Sequence, residues 1–152
     1  MKPFRFGLEK VLALRALQAM KAQQALAEAQ AAVLAAAAAL EQVQAERNTF
    51  HLALAERRAR GMPAWEWSRT SERLEAYREA ERAAADALRQ AQEAMAVRRT
   101  ELQAAKQREE TLNKLQERQR EAHELAALAE EQVMLDELAQ TMRLTRRRVD
   151  LS

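Results

Sequence analysis

The fold is decided at residues 56–67, ERRARGMPAWEW, which hold the strongest internal interruption of an otherwise breaker-free chain. Gly61 suits the position just after a helix, because glycine adopts the left-handed conformation that ends many helices. Pro63 suits the first turn of a new helix, where its missing N–H costs nothing. The spacing predicts a tight elbow over residues 61–63, and so short a connection makes the two flanking helices antiparallel.

On both sides of the elbow the composition is that of long helices. The chain has 152 residues, of which 35 are alanine, two are glycine and two are proline. Sheet folds need many turn residues, and these are missing. We therefore predict an all-α fold that is a single domain over residues 1–152, with helix 1 at about 8–60 and helix 2 at about 64–149. Aromatic residues make up 4%, so the core is predicted to be a thin seam between the helices.

Helix 1 carries a regular coiled-coil pattern. Apolar residues recur at alternating steps of four and three, which is the 3.5-residue period of a coiled-coil seam. The seam runs through Leu8, Leu12, Arg15, Ala19, Ala22, Leu26, Ala29, Val33, Ala36, Leu40, Val43, Arg47, Phe50 and Leu54.

Helix 2 repeats the pattern less regularly. Leu74, Tyr77, Leu88 and Leu112 share one frame, which Glu81 and Arg98 interrupt, and the frame shifts between Leu112 and Leu125. If the chain folds back at Met62, the N-terminal end of helix 1, at Leu8, lies opposite residue 116. We therefore predict an antiparallel coiled-coil hairpin whose second helix extends beyond the first as a C-terminal overhang, from about residue 117 to 149.

Several functional classes are excluded by what the sequence lacks. There is no cysteine, and no histidine pair at the spacing of a helical zinc site. With two distant glycines no phosphate-binding loop can form, so we predict no catalytic, cofactor-binding or metal-binding residues and no small-molecule substrate. The 25 basic residues nearly balance the 23 acidic ones, and no aromatic residues are interleaved among the basic clusters, so nucleic acid is not a predicted partner.

Two basic clusters and two tryptophans leave alternatives open. Arg57 and Arg58 precede the elbow, and Arg146 to Arg148 lie near the C-terminus. They either complement helix dipoles or bind an acidic protein. Trp65 and Trp67 point to opposite sides of helix 2, so we expect one to pack into the end of the seam and the other to be exposed.

No membrane span or secretory signal is expected. The longest apolar run, residues 31–40, is about half the length that a span needs, and charged residues interrupt the N-terminal apolar stretch.

Two segments resemble a known family. Residues 4–15, FRFGLEKVLALR, and residues 130–139, EEQVMLDELA, resemble the two ends of the FliJ family of flagellar type III export proteins. That family opens with an aromatic-x-aromatic-x-Leu-Glu pattern and carries a Leu-Asp-Glu segment near its C-terminus.

The resemblance implies a non-enzymatic coiled coil like the central stalk of rotary ATPases. Its implied partners are the hexameric flagellar export ATPase, the cytoplasmic domain of the membrane export gate, and export chaperones. Its implied location is the cytoplasm, peripheral to the inner membrane at the flagellar base. Two alternatives remain: the equivalent stalk protein of a virulence type III secretion system, and a structural coiled coil that self-dimerises.

We predict two partner-binding surfaces. The ATPase-facing surface consists of Phe4, Phe6, Leu8, Glu9, Leu12, Leu128, Gln132, Leu135, Asp136, Glu137, Arg146 and Arg147. A second surface at the elbow consists of Arg57, Arg58, Met62, Trp65 and Trp67.

Overall fold

The fold is all-α, as predicted. A computed structural model describes residues 2–152, and these form two helices, α1 (Glu9–Ala59) and α2 (Ala64–Asp150), with no strand among them. The lengths are 51 and 87 residues, so α2 is much the longer helix. The interiors of both helices lack glycine and proline, and alanine, leucine, glutamate and arginine, all good helix formers, dominate them.

The elbow forms as the sequence predicts. Gly61 has a φ of 91°, a left-handed conformation, and its N–H donates to the carbonyl of Arg58 at 3.1 Å. The Pro63 carbonyl accepts from the N–H groups of Glu66 and Trp67, both at 3.1 Å. Gly61 therefore closes α1, and Pro63 caps the start of α2.

The chain divides into two compact units. The elbow unit is Gln18–Ala105, and the terminal unit comprises the N-terminal residues up to Leu17 together with Lys106–Ser152. The single domain expected over residues 1–152 stays a prediction.

In the elbow unit the two helices run antiparallel. Contacts across the seam join Phe50 to Tyr77, with ring centroids 5.3 Å apart, and Arg57 to Glu66, so numbers rise on α1 as they fall on α2. The predicted seam positions are buried or half-buried, whereas most of their neighbours are exposed, which confirms the predicted frame. These positions on α1 are Ala19, Ala22, Leu26, Ala29, Val33, Ala36, Leu40, Val43, Arg47, Phe50 and Leu54.

Two polar interruptions of the seam pair with each other. Arg47 on α1 forms a salt bridge with Glu81 on α2, and Gln44 donates from Nε2 to a carboxylate oxygen of Glu81 at 3.3 Å. Each charge is thus compensated where it is partly buried, which explains why the helices tolerate both residues in the seam.

In the terminal unit a non-helical segment precedes α1. This segment, residues 2–7, is called the N-terminal strap below. It lies against α2 at residues 119–123, and its Phe6 side chain is buried, at 6% exposure. The half-buried face of α2 accordingly continues through Gln116 and His123 as far as Ala127.

The overhang therefore begins later than predicted. Every residue from 128 to 152 is exposed, and this segment is called the overhang below. The prediction that the overhang begins at about residue 117 assumed that α2 loses its partner at the N-terminal end of helix 1. A non-helical segment spans up to about 3.3 Å per residue, against 1.5 Å for a helix, so the short strap covers about three further turns of α2.

By length and composition alone, α1 is also apolar enough to cross a membrane. The helix is rich in alanine, and its seam face packs against α2 in the elbow unit. A core helix of a coiled coil passes the same test, so we interpret α1 as one half of the hairpin.

Candidate partner-binding surfaces

The overhang presents an apolar strip along one side of α2. Leu138, Met142 and Val149 are spaced by four and seven residues, about one and two helical turns, and with Thr141 and Thr145 they line one continuous groove. Leu135, one turn earlier, extends the strip at 54% exposure. The sequence predicted Leu135 as part of this surface, whereas Leu138, Met142 and Val149 were not among the predicted site residues.

The polar residues predicted for the overhang are also exposed. Gln132 donates from Nε2 to Asp136 at 3.2 Å, and Glu137 and the two arginines, Arg146 and Arg147, are fully on the surface. None of the salt bridges found in residues 2–152 involves the overhang. Its charges therefore remain available to a partner.

The predicted N-terminal site residues are placed differently. Phe6 is buried in the terminal unit, and Phe4 is half-buried, with its ring 5.6 Å from that of His123 and the Arg120 guanidinium 5.7 Å from its centroid. Phe4 thus holds the strap against α2, and Phe6 is the buried side chain of the strap. Leu8 and Glu9 are exposed, and Leu12 is half-buried.

His123 is a structural residue that sequence reasoning did not place. Its Nε2 lies 3.0 Å from the carbonyl oxygen of Lys2, and because a carbonyl can only accept, Nε2 must donate. Together with the tilted contact between its ring and that of Phe4, this contact ties the start of the chain to α2. No sequence signal connects residues so far apart in a chain whose strap has no helical period.

At the elbow one ion pair bridges the two helices. Arg57 donates from Nε and Nη2 to the two carboxylate oxygens of Glu66, at 2.9 and 3.0 Å. These hydrogen bonds lower the pKa of Glu66 below its ordinary value and raise the pKa of Arg57. The bidentate geometry fixes the angle between the helix ends.

The tryptophans do not pack into the seam as expected. The buried residues at this end are Leu54 and Thr70, with Met62 half-buried, whereas Trp65 and Trp67 are 64% and 43% exposed. The smaller side chains of Leu54 and Thr70 thus occupy the buried positions where the helices meet. The Arg58 guanidinium lies 4.3 Å from the centre of the Trp67 ring, and Arg69 lies 5.8 Å from that of Trp65.

The elbow surface is therefore built of cations over aromatic rings. Arg58 over Trp67 is within the range of a cation–π contact. The exposed indole of Trp65 and the guanidinium groups offer the side chains most common in protein–protein hot spots. Of the five residues predicted at the elbow, Arg57, Met62 and Trp65 line one groove and Arg58 and Trp67 line another. Arg57 is already engaged by Glu66.

The described residues do not gather into a metal site: in residues 2–152 no three side chains of histidine, aspartate or glutamate come together in a geometry that could hold an ion. The two surfaces above are thus the candidate functional features of the chain.

No curated protein and no solved structure matches the chain. A protein-family model described as "Flagellar FliJ protein" matches residues 4–148, which is nearly the whole sequence and includes both segments that carry the resemblance. The two-helix architecture agrees with that match. The chain therefore belongs to the FliJ family, a non-enzymatic component of flagellar type III protein export.

Proposed function

We propose that this chain is a stalk-like coiled coil that couples the hexameric export ATPase to the cytoplasmic domain of the membrane export gate. It works in the cytoplasm, peripheral to the inner membrane at the flagellar base. The overhang, with its ATPase-facing residues, contacts the ring. The proposal rests on the family and on the overhang together.

The exposed overhang is the observation that carries the proposal. A single helix without packing is marginally stable in water, since most helical stability in proteins comes from burying one face. Here the strip of Leu135, Leu138, Met142 and Val149 has no covering segment in residues 2–152. An apolar strip of this extent is typical of a surface that another molecule covers.

Truncation after Gln132 tests the coupling. The shortened chain keeps the elbow unit, the strap and the α2 residues that the strap covers, so the hairpin should stay folded by circular dichroism. We expect it to lose stimulation of the export ATPase and to fail to restore motility. A truncated chain that unfolds would contradict the pairing, and one that stimulates normally would contradict the role of the overhang.

A point substitution gives a sharper test of the same surface. Leu138→Asp places a charge in the strip and should reduce ATPase stimulation at least about tenfold, because burying an unpaired charge at an interface is costly. Leu34→Asp is the matched control, since Leu34 is exposed on α1. Equal stimulation by the two variants would contradict the proposal.

The elbow surface is proposed as a second protein contact, for an export chaperone or the gate. It carries exposed Trp65 and the cation–π pair of Arg58 and Trp67. Trp65→Ala should weaken capture of purified chaperone or gate domain, whereas Leu52→Ala, at a similarly exposed position of α1, should not. Unchanged capture of both partners by Trp65→Ala would remove the elbow from the proposal.

A further inference from the structure

The charges of the overhang are separated by sign. Residues 128–142 contain four acids and no lysine or arginine, whereas residues 143–152 contain four arginines and one aspartate. The nearest acid and base across the boundary, Glu137 and Arg143, are too far apart on the helix for the three- or four-residue spacing that pairs charges. An acidic half followed by a basic half complements a second copy of itself when the two run antiparallel.

The apolar strip has the matching symmetry. Leu135, Leu138, Met142, Thr145 and Val149 follow the alternating three–four spacing of coiled-coil a and d positions. In an antiparallel pair an a residue of one helix faces a d residue of the other. Pairing centred on Gln140 places Leu138 against the second copy's Met142 and Leu135 against the second copy's Thr145, each contact occurring twice.

Thr145 fits an apolar layer in this arrangement. Its hydroxyl donates to the carbonyl of Thr141 at 2.8 Å, so its hydrogen-bonding capacity is used within the helix and its methyl group is free to pack. Thr141 is satisfied in the same way by the Glu137 carbonyl, also at 2.8 Å. Burying the strip would therefore leave neither threonine hydroxyl without a hydrogen-bond partner.

The flanking positions are also complementary. Centred on Gln140, Arg146 of one copy lies level with residue 134 of the other, between Gln132 and Asp136, and Arg148 lies level with residue 132, near Glu130. A parallel pair would instead bring the acidic halves together and the basic halves together, which is unfavourable. The antiparallel pair also aligns the two helix dipoles favourably.

We propose that two copies of this chain associate through their overhangs as an antiparallel two-helix coiled coil centred on Gln140. The layers between Leu135 and Thr145 pair strip residues with one another, and at each end Val149 lies opposite the second copy's Glu131. The pair therefore ends short of Ala127, where the face covered by the strap begins. The pair covers the same strip that is proposed to contact the ATPase. On that proposed function, self-association and ring binding exclude each other, and the pair is a reserve form that the ring must displace.

Sedimentation velocity of the full chain over a range of concentrations tests the association. We expect a monomer–dimer equilibrium that Met142→Asp weakens at least about tenfold, because the charge enters two layers of the pair. Leu144→Asp is the matched control: Leu144 is as exposed as Met142 but lies off the strip, so the dimer should persist. A chain that is monomeric at every concentration, or that responds equally to both substitutions, overturns the proposal.

A gain of affinity tests the antiparallel arrangement. Gln132→Glu adds a carboxylate beside the second copy's Arg146 on both sides of the pair, and should tighten the dimer by about threefold or more at low salt. Gln140→Glu makes the same change on the outward side and should leave the affinity unchanged. In a parallel pair Gln132 would face Ala127, so no gain from Gln132→Glu overturns the orientation.

These measurements use the chain alone and do not depend on the ATPase. A monomeric chain that still stimulates the ATPase would overturn the self-association and leave the proposed function standing. If Met142→Asp dissociates the dimer but Leu138→Asp leaves ATPase stimulation unchanged, the self-association stands and the proposed function is overturned.

Discussion

The elbow unit and the overhang use the same helix in opposite ways. Both carry apolar residues at coiled-coil spacing on α2, but α1 covers those of the elbow unit, whereas every residue of the overhang is exposed. A periodic apolar face shows that something packs against it, and only the fold shows whether that something is in the same chain. In the elbow unit the seam therefore accounts for stability, and in the overhang it indicates a partner.

The largest expected effect is the difference in stability cost between the same leucine-to-aspartate change in the seam and in the overhang. Leu40→Asp places a charge in the half-buried seam and should cost about 2–4 kcal/mol of unfolding free energy. Leu138→Asp in the overhang should change it by less than about 0.5 kcal/mol, because the side chain is already in water. Urea unfolding followed by circular dichroism, at a dilution where the chain is monomeric, measures both. Equal costs would mean that the overhang has an intramolecular partner.

The strap should show an intermediate effect. Phe6→Ala removes its one buried side chain and should cost about 2 kcal/mol of strap attachment, less than the about 3–5 kcal/mol of a globular core, because the thin surroundings can collapse. The nuclear magnetic resonance signals of His123 report attachment, since the Phe4 ring shifts them. Leu8→Ala, at an exposed position, should leave these signals in place. If Phe6→Ala also leaves them unchanged, the strap is held by Phe4 and Lys2 alone.

A smaller effect is expected at the paired interruption of the seam. A double-mutant cycle of Arg47→Met and Glu81→Leu should give a coupling of about 1 kcal/mol, because both side chains are partly buried. The exposed pair of Arg78 and Glu75, three residues apart on α2, is the matched control and should couple by less than about 0.5 kcal/mol. Equal coupling in the two cycles would mean that burial in the seam adds nothing to the ion pair.

The smallest effect is a pH dependence at the elbow. Arg57 lowers the pKa of Glu66 in the folded chain, so the pair stabilises the fold above the ordinary pKa of glutamate, about 4.3. That contribution falls as the pH drops through the lowered folded value. The difference in melting temperature between the native chain and Glu66→Gln should therefore close on going from pH 7 to pH 3. Glu72→Gln controls for the loss of a carboxylate, and a difference for Glu66→Gln that stays constant with pH would contradict the assignment.

Much of the fold follows from local sequence. Gly61 and Pro63 determine the elbow through their own backbone preferences, and the seam from Ala19 to Leu54 follows from a regular period. The attachment of the strap did not follow from the sequence, because its contacts join Lys2 and Phe4 to His123, which is far away in sequence and shares no period with them. The prediction that one of the two tryptophans, Trp65 or Trp67, packs into the seam was also wrong, because Leu54 and Thr70 occupy the buried positions at that end.

The candidate site is less accessible to sequence reasoning than the fold. Leu135 was found because it lies within the family segment at residues 130–139, whereas Met142 and Val149 lie outside it and join the strip only when the exposure of the whole overhang is known. Leu125 is apolar like these residues, but it lies in the part of α2 that the strap covers. It is exposed there because it points away from the face against which the strap packs. The residues of α2 that form one exposed strip are those beyond the last residue that the strap covers, and the strap therefore determines where the strip begins.

The thinness of the seam also has a thermal consequence. No large side chain in residues 2–152 is fully buried, so unfolding exposes little new apolar surface per residue. The heat-capacity change of unfolding should then fall below the about 12–15 cal/mol/K per residue of globular domains, which flattens the dependence of stability on temperature. A chain of this kind should therefore be little weakened by cold.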